Sequence, residues 1–263
     1  MLVAYPLEMR VVALLLAAAL VQQSDPQAIQ RMAATDRAYA SAALDVGRRD
    51  AALAFTLDTA VAISEETGTV TLVPARPVMA ARPLEKLPLG LREIWEPFTG
   101  QVSADGSFGW TTGARASLTQ PIATIPSQGA YLRIWIRQAD GAWRVWLEDE
   151  VRFPDTWRDA APFRVAPDPD AGTAGTQGES LTDAEASVGT GGTSWTARLA
   201  ATARVHRAGV GPMMDRPSIL AWAATAWAGA TFHVLADRRA DSDDLGVTVG
   251  RYELAHAARS ERG

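Results

Sequence analysis

The chain is 263 residues long and 48% hydrophobic, with 25 basic residues against 30 acidic ones and a net charge of -5. Such a length buries one large core or two small ones, and mild acidity without a basic stripe argues against nucleic acid as a partner. Cysteine is absent, which excludes disulfides, thiolate catalysis and Cys-ligated zinc; Lys86 is the single lysine, a compositional bias with no functional reading.

Met9-Arg10 precede an apolar run from Val11 to Val21 in which Ala17-Ala18-Ala19 offer small residues for cleavage. Residues 1–21 therefore resemble a secretory leader, which implies a periplasmic or secreted bacterial protein. The run is shorter than the ~20 apolar residues that cross a bilayer, so no membrane span is expected once it is removed. Met1 to Glu8 is unusual ahead of a leader, which makes Met9 the candidate start. Polar Gln22-Gln23-Ser24-Asp25 then disfavours a buried N-terminal helix.

Asp25-Pro26 is a helix start, and Ile29, Met32, Ala33, Tyr39, Ala40, Ala43 and Val46 recur at helical spacing up to Gly47. Asp36 shares that apolar stripe, so its carboxylate points into a cavity or meets an arginine. Asp50 caps a second short helix through Ala54, Thr59 to Ser64 reads as a strand, and Thr69 to Val73 continues extended to Pro74. Pro77 to Pro88 reads mostly as loop, and Leu89 to Trp95 as a short helix closed by Pro97. Beyond a turn at Asp105-Gly106, Phe108 to Thr112 and Ala114 to Thr119 are extended.

Tyr131 to Glu150, YLRIWIRQADGAWRVWLEDE, reads as a β-hairpin turning on the two-residue loop Asp140-Gly141. That loop sets Trp135 opposite Trp146, Arg133 opposite Glu148, Ile134 opposite Leu147 and Ile136 opposite Val145. A three-residue loop would set Ile136 against Arg144. One face then carries Leu132, Ile134, Ile136, Trp143, Val145 and Leu147 and wants a core. The other, with Arg133, Trp135, Arg137 and Trp146, has the composition of an interface, so a partner subunit or a second domain is expected to cover it.

The element order is α+β rather than βαβ. Three segments, VPARP at Val73 to Pro77, VSADGSFGWTTG at Val102 to Gly113 and the hairpin, resemble the SnoaL-like branch of the nuclear transport factor 2-like superfamily. More narrowly, they resemble its secreted, uncharacterised subfamily known as a domain of unknown function. The resemblance covers roughly Gln27 to Trp157. It implies a cystatin-like cone, a curved antiparallel sheet wrapped around helices, with an internal pocket. Relatives use such pockets as isomerases, cyclases, dehydratases or hydratases, and others only bind.

Pro162 to Gly178 is a Pro/Gly/Thr-rich linker, which divides the chain into a cone domain at 26–160, a linker at 161–179 and a second unit at 180–263. Ser180 to Asp183 resembles a capping box. In the second unit Thr202 to His206 parallels Thr59 to Ile63, Met213 to Pro217 parallels Met79 to Pro83, and Asp244 to Gly250 parallels Ser107 to Gly113, as a diverged tandem copy would. A counterpart of the Tyr131 to Glu150 hairpin is missing after Gly250, leaving an edge. Truncation, closure by the tail Arg251 to Ala258, or another subunit would each account for it, and truncation is favoured.

A catalytic cone needs a carboxylate whose pKa is raised in a dry site. Asp36, Asp58 and Glu148 are the candidate bases, each with a plainer reading: a buried ion pair for Asp36, a turn cap for Asp58, and a cross-strand pair with Arg133 for Glu148. Ala201 stands where the second copy would carry Asp58. Tyr39, Trp95, Trp110, Arg133 and Trp135 are the candidate ligand-binding residues, against a core or interface role for the aromatics. His206, His233 and His256 lack metal-ligand spacing, so no metal and no cofactor are expected; no Gly-x-Ser-x-Gly elbow or phosphate loop appears. The reading is an exported protein binding a small apolar or amphipathic molecule, with homodimer or domain–domain contact through the sheet face. A SnoaL-like isomerase, cyclase or hydratase, or a purely structural cone, is the alternative.

Overall fold

A computed structural model describes residues 9–13, 26–66, 69–83, 91–119, 124–153, 164–165, 180–183, 199–200, 203–207, 210–227 and 230–254. Helix α1 (Pro26–Val46) breaks at Gly47 into α2 (Arg48–Phe55). Strands β2 (Thr56–Glu66) and β3 (Thr69–Pro74) follow, then a short helix α3 (Ala75–Ala80). The long strands β4 (Leu91–Val102), β5 (Phe108–Thr119), β6 (Thr124–Arg137) and β7 (Trp143–Phe153) complete the first unit. With β8 (Arg164–Val165) they form one seven-stranded sheet in the order β3-β2-β7-β6-β5-β4-β8.

The α+β cone is present, but its sheet is mixed. β2 lies parallel to β7 and β8 parallel to β4, and the other neighbours are antiparallel. Ala28, Ile29, Met32, Tyr39 and Ala43 of α1 pack with Trp95, Val102, Tyr131, Trp135, Trp143 and Val145 inside it. The helix expected over 89–95 is replaced, from Leu91 on, by β4, in which Ile94 and Glu96 are exposed while Trp95 and Pro97 are buried, a period of two; residues 89–90 lie outside the described residues. The first strand begins at Thr56 rather than Thr59, and the two extended pieces after Asp105-Gly106 are one strand. Helix α3 covers Pro77 to Ala80, where a loop is expected, and residues 84–88 lie outside the described residues.

The hairpin turn differs from the two-residue form. The Gln138 amide donates to the Ala142 carbonyl at 2.8 Å and the Gly141 amide to the Gln138 carbonyl at 2.8 Å, with φ +85° at Gly141. A three-residue loop ending in a glycine in the left-handed region gives this pattern. Near the turn Arg137 therefore faces Trp143, Ile136 faces Arg144 and Trp135 faces Val145. A bulge then restores Ile134 opposite Leu147 and Arg133 opposite Glu148. As a result Trp143 and Val145 join Tyr131, Arg133 and Trp135 inside the cone, while Trp146 and Leu147 join Ile134 and Phe108 outside it.

This overturns the expected roles of the two faces. Arg133 and Trp135 meet no second unit; they are the interior, and both are fully buried. Phe108, Trp110, Ile134, Trp146 and Leu147 instead pack against Ala240, Leu245, Val247 and Val249 of the second half.

The second half contributes β9 (Val205–Arg207), β10 (Val210–Met213), helix α4 (Arg216–Ala226), β11 (Ala230–Arg239) and β12 (Gly246–Leu254). Asp215 caps α4 by accepting from the Ser218 amide at 2.8 Å. At the expected capping box the Asp183 amide donates to Ser180 Oγ at 2.9 Å. Pro217 opens α4, whereas Pro83 follows α3, so that sequence parallel joins unlike elements. The hairpin parallel is closer. Val102↔Gly109 answers to Arg239↔Gly246, and Pro97↔Gly113 to Val234↔Gly250, at one constant offset and with each hairpin bulged at the same place. Both turns share a hydrogen-bond pattern, and Gly106 at φ +70° corresponds to Asp243 at φ +57°.

Ala201 and most of the linker lie outside the described residues. At the N-terminus, Met9–Ala13 forms a strand, β1, antiparallel to β12 in a three-stranded sheet ordered β1-β12-β11.

Candidate functional site

The interior of the cone is organised on Arg133. It emerges from the middle of β6 on the concave face, directly below Asp36 on the buried stripe of α1; both side chains are 0% exposed. One guanidinium nitrogen donates to Asp36 Oδ1 at 2.5 Å and the other to Glu148 Oε1 at 3.0 Å. Three rings surround the guanidinium, with Tyr39 at 4.6 Å and Trp95 and Tyr131 at 4.3 Å from its central carbon.

Asp36 is fully occupied. Besides Arg133, Trp95 Nε1 donates to it at 3.1 Å, Thr111 Oγ1 at 2.7 Å and the Tyr131 hydroxyl at 2.9 Å. Trp135 Nε1 in turn donates to Thr111 Oγ1 at 2.7 Å, which fixes that hydroxyl. Glu148 accepts from the Tyr39 hydroxyl at 3.2 Å and from Arg48 at 3.4 Å. Burial pushes its carboxyl up, but the Arg133 and Arg48 guanidiniums win and hold it well below the usual carboxylate range. Burial, then the neighbouring Glu148, push the Tyr39 phenol up, so it donates and does not ionise.

From this hub the charges continue outward. Arg48, at the start of α2, pairs with Glu93 and Glu150, and Arg115 donates to Glu93 Oε1 at 2.5 Å and lies 3.5 Å from Glu150. Arg133 is fully buried, Arg115 nearly so at 4%, and Arg48 and Glu150 are the more exposed members at 13% and 20%. Burial lowers the pKa of Arg115; Glu150 opposes that, and the nearby Arg48 and Arg152 guanidiniums add to it. Among the described residues no His, Asp and Glu group has the arrangement of a metal site.

The candidate residues thus divide. Asp36, Glu148, Tyr39, Trp95, Arg133 and Trp135 are brought together inside the cone. Asp58 is not: its side chain is 91% exposed on β2, 3.1 Å from Arg76. Trp110 is not either, because it points to the outer face and packs on the second half. Arg48, Glu93, Thr111, Arg115, Tyr131 and Glu150 escaped sequence reasoning. Counting by twos along β5, from Thr111 to Arg115, and along β4, from Trp95 back to Glu93, places all four on the concave face.

No general base in the required state follows from this geometry. A base needs a free lone pair and a pKa raised toward neutrality, whereas Asp36 accepts from four donors and Glu148 is held ionised by two guanidiniums.

No family model matches the chain, and no curated protein matches it. Several solved structures do. The similarity is to ketosteroid isomerase-like and cystatin-like folds. A ketosteroid isomerase-like protein from Erwinia carotovora atroseptica matches at 12% identity and TM-score 0.36, over 49% of this chain and 98% of its own. Two Nostoc punctiforme proteins also match. One is a domain of unknown function with a cystatin-like fold, at 16% identity and TM-score 0.39, over 49% of this chain and 79% of its own. The other is a protein of unknown function with the same fold, at 10% identity and TM-score 0.38, over 51% and 96%.

Proposed function

We propose that this is an exported, non-catalytic binding protein of the SnoaL-like type, built from two related units, the first of which takes a small amphipathic molecule bearing an anionic group. The observation that supports the absence of turnover is the Asp36–Arg133–Glu148 network: both interior carboxylates already accept from Arg133, and its guanidinium lies against the rings of Tyr39, Trp95 and Tyr131. The ligand class rests on the outer end of the same network. There Arg48 and Arg115 share Glu93 and Glu150, and an anionic group entering at this point would be held by the same two guanidiniums. Phe55, stacked on Tyr39 with ring centroids 5.0 Å apart, adds apolar surface beside the Tyr39–Glu148 contact. The shared hairpin geometry supports the reading of two related units, and the leader-like N-terminus supports export.

Titration of matched alkyl carboxylates, amines and alcohols, followed by tryptophan fluorescence and melting temperature, tests this. Saturable binding of the carboxylates alone, weakened at least tenfold by Arg115→Ala, is the expected result. Binding only of amines or alcohols would overturn the ligand class. Catalysed exchange of deuterium at a carbon next to a ketone, lost in Glu148→Gln, would overturn the non-catalytic reading.

A further inference from the structure

Two buried polar atoms, unpartnered among the described residues, lie where β9 of the second half meets the outer face of the first unit's sheet. Gln128 stands on β6 directly opposite Phe153 on β7. Arg115 and its partner Gly129 belong to the concave face, so Gln128, one residue earlier, points with Phe153 to the outer one. Gln128 is 7% exposed, and its Oε1 has no hydrogen-bond partner among the described residues. From the other side His206 on β9 meets the same Phe153 edge to face, with ring centroids 6.3 Å apart. Its Nε2 is sealed from solvent and is likewise unpartnered among the described residues. Arg204, two residues earlier, sets its guanidinium carbon 4.6 Å from the centre of the Phe98 ring, at the bulge of β4.

We propose that Arg204, His206 and Gln128 form a binding site for a small oxyanion at the junction of the two units. The three side chains supply donors of the right kind: a guanidinium, an imidazole N–H, and a primary amide whose oxygen and NH2 exchange places by a half-turn. Buried polar groups are ordinarily hydrogen-bonded, so two unpartnered ones flanking a single ring call for a guest that meets both. Charge selects an anion over a neutral guest. Burial and the Arg204 guanidinium both hold a proton off the His206 ring, and among the described residues no carboxylate opposes them. A bound oxyanion supplies that missing counter-charge through charge-assisted hydrogen bonds. The site lies on the opposite face of the sheet from Arg115, so it stands independently of what the cone interior binds.

The test uses the full chain at pH 7, with formate and sulfate as probes and formamide as the neutral match to formate. The His206 imidazole signal is followed by NMR and identified by its disappearance in His206→Gln. The expected result is a saturable shift of that signal with at least one of the two anions and none with formamide. A response to formate alone assigns the site to carboxylates, one to sulfate alone to tetrahedral oxyanions, and either supports it. Affinity is expected to fall at least tenfold in Arg204→Met, which keeps an alkyl stem over Phe98, and in Gln128→Leu. Gln128→Glu, which brings a carboxylate of its own into the site, is expected to abolish the response. In Arg115→Ala, on the other face, affinity stays within twofold. Circular dichroism selects the folded variants, and any one of the three at positions 204 and 128 suffices for the comparison. Absence of a saturable shift with both anions overturns the proposal. So does an equal response to formamide, or a response that survives the substitutions at 204 and 128 and is lost in Arg115→Ala.

Discussion

The Asp105 carboxylate accepts a hydrogen bond from the Ser242 amide at 3.1 Å, joining the turn of the first unit's β4–β5 hairpin to the turn of its counterpart. Alongside it the Ala104 amide donates to Asp244 at 2.7 Å, so the two turns clasp one another while Phe108 and Trp110 face Leu245, Val247 and Val249. The apolar part of this joint outweighs the polar part. Trp146→Ala, which empties a nearly buried ring with the Arg238 guanidinium 5.6 Å away, is expected to cost about 3–5 kcal/mol. Asp105→Ala is expected to cost about 1 kcal/mol. Urea unfolding of the two variants checks the order.

The Asp36–Arg133 pair makes an asymmetric prediction. Removing Arg133 leaves Asp36 without a cation, and removing Asp36 leaves Arg133 to Glu148 alone with three donors orphaned, so Arg133→Met is expected to destabilise by roughly 3–5 kcal/mol and Asp36→Ala by somewhat less. The double substitution leaves Glu148 to Arg48 and Tyr39, and is expected to cost less than the sum of the two. A double-mutant cycle in denaturant measures the difference, and additivity would contradict the coupled network.

Glu148 sets an acid limit. Its folded-state pKa is depressed below the ordinary 4.5, so its contribution is complete above that value and declines as pH falls toward the lower folded value. Melting temperature followed downward from pH 5 is expected to fall more steeply in the natural chain than in Glu148→Gln, which starts lower and changes less.

His206 acts at milder pH. Burial, with help from Arg204, pulls its pKa from 6.5 down to about 4. The neutral ring is favoured in the fold, so stability is complete above pH 6.5 and is lost progressively between 6.5 and 4. Substitution by glutamine is expected to flatten that stretch of the stability curve, as read by thermal unfolding at half-unit pH steps.

Gly113 tests the curvature of the sheet. A methyl group there would meet the Glu96 carbonyl oxygen at 2.0 Å, at the bulge between Pro97 and Thr99. Gly113→Ala must displace backbone, and is expected to destabilise by more than 2 kcal/mol. Gly141→Ala, in an open turn at φ +85°, is expected to cost nearer 1 kcal/mol.

Helix α1, the α+β order and the opposition of Arg133 to Glu148 were legible in the sequence, because each follows from a period of 3.6 or 2 or from complementary charge; the cone was what the family resemblance implied. The three-residue turn was not: Asp-Gly serves two loop lengths, and the pairing pattern that favoured the shorter one is restored beyond the turn by a bulge at Trp146. That single residue moved Trp143 and Val145 to the opposite face. Residues 89–95 misled because Leu, Arg, Glu and Ile suit a helix when taken alone, and tertiary pairing with β5 overrode them. The outer charges Arg48, Glu93 and Arg115 come from three elements distant in sequence, and only the closed cone brings them together.

The guanidinium of Arg133 has one more implication. It behaves as a central post: three rings and two acids hold it in the interior of the cone. Shortening that one side chain would remove the group that Tyr39, Trp95 and Tyr131 now enclose and would take from Asp36 its partner on β6. The packing of the cone interior therefore depends on one side chain, and replacing it trades a neutralised ion network for a gap among rings.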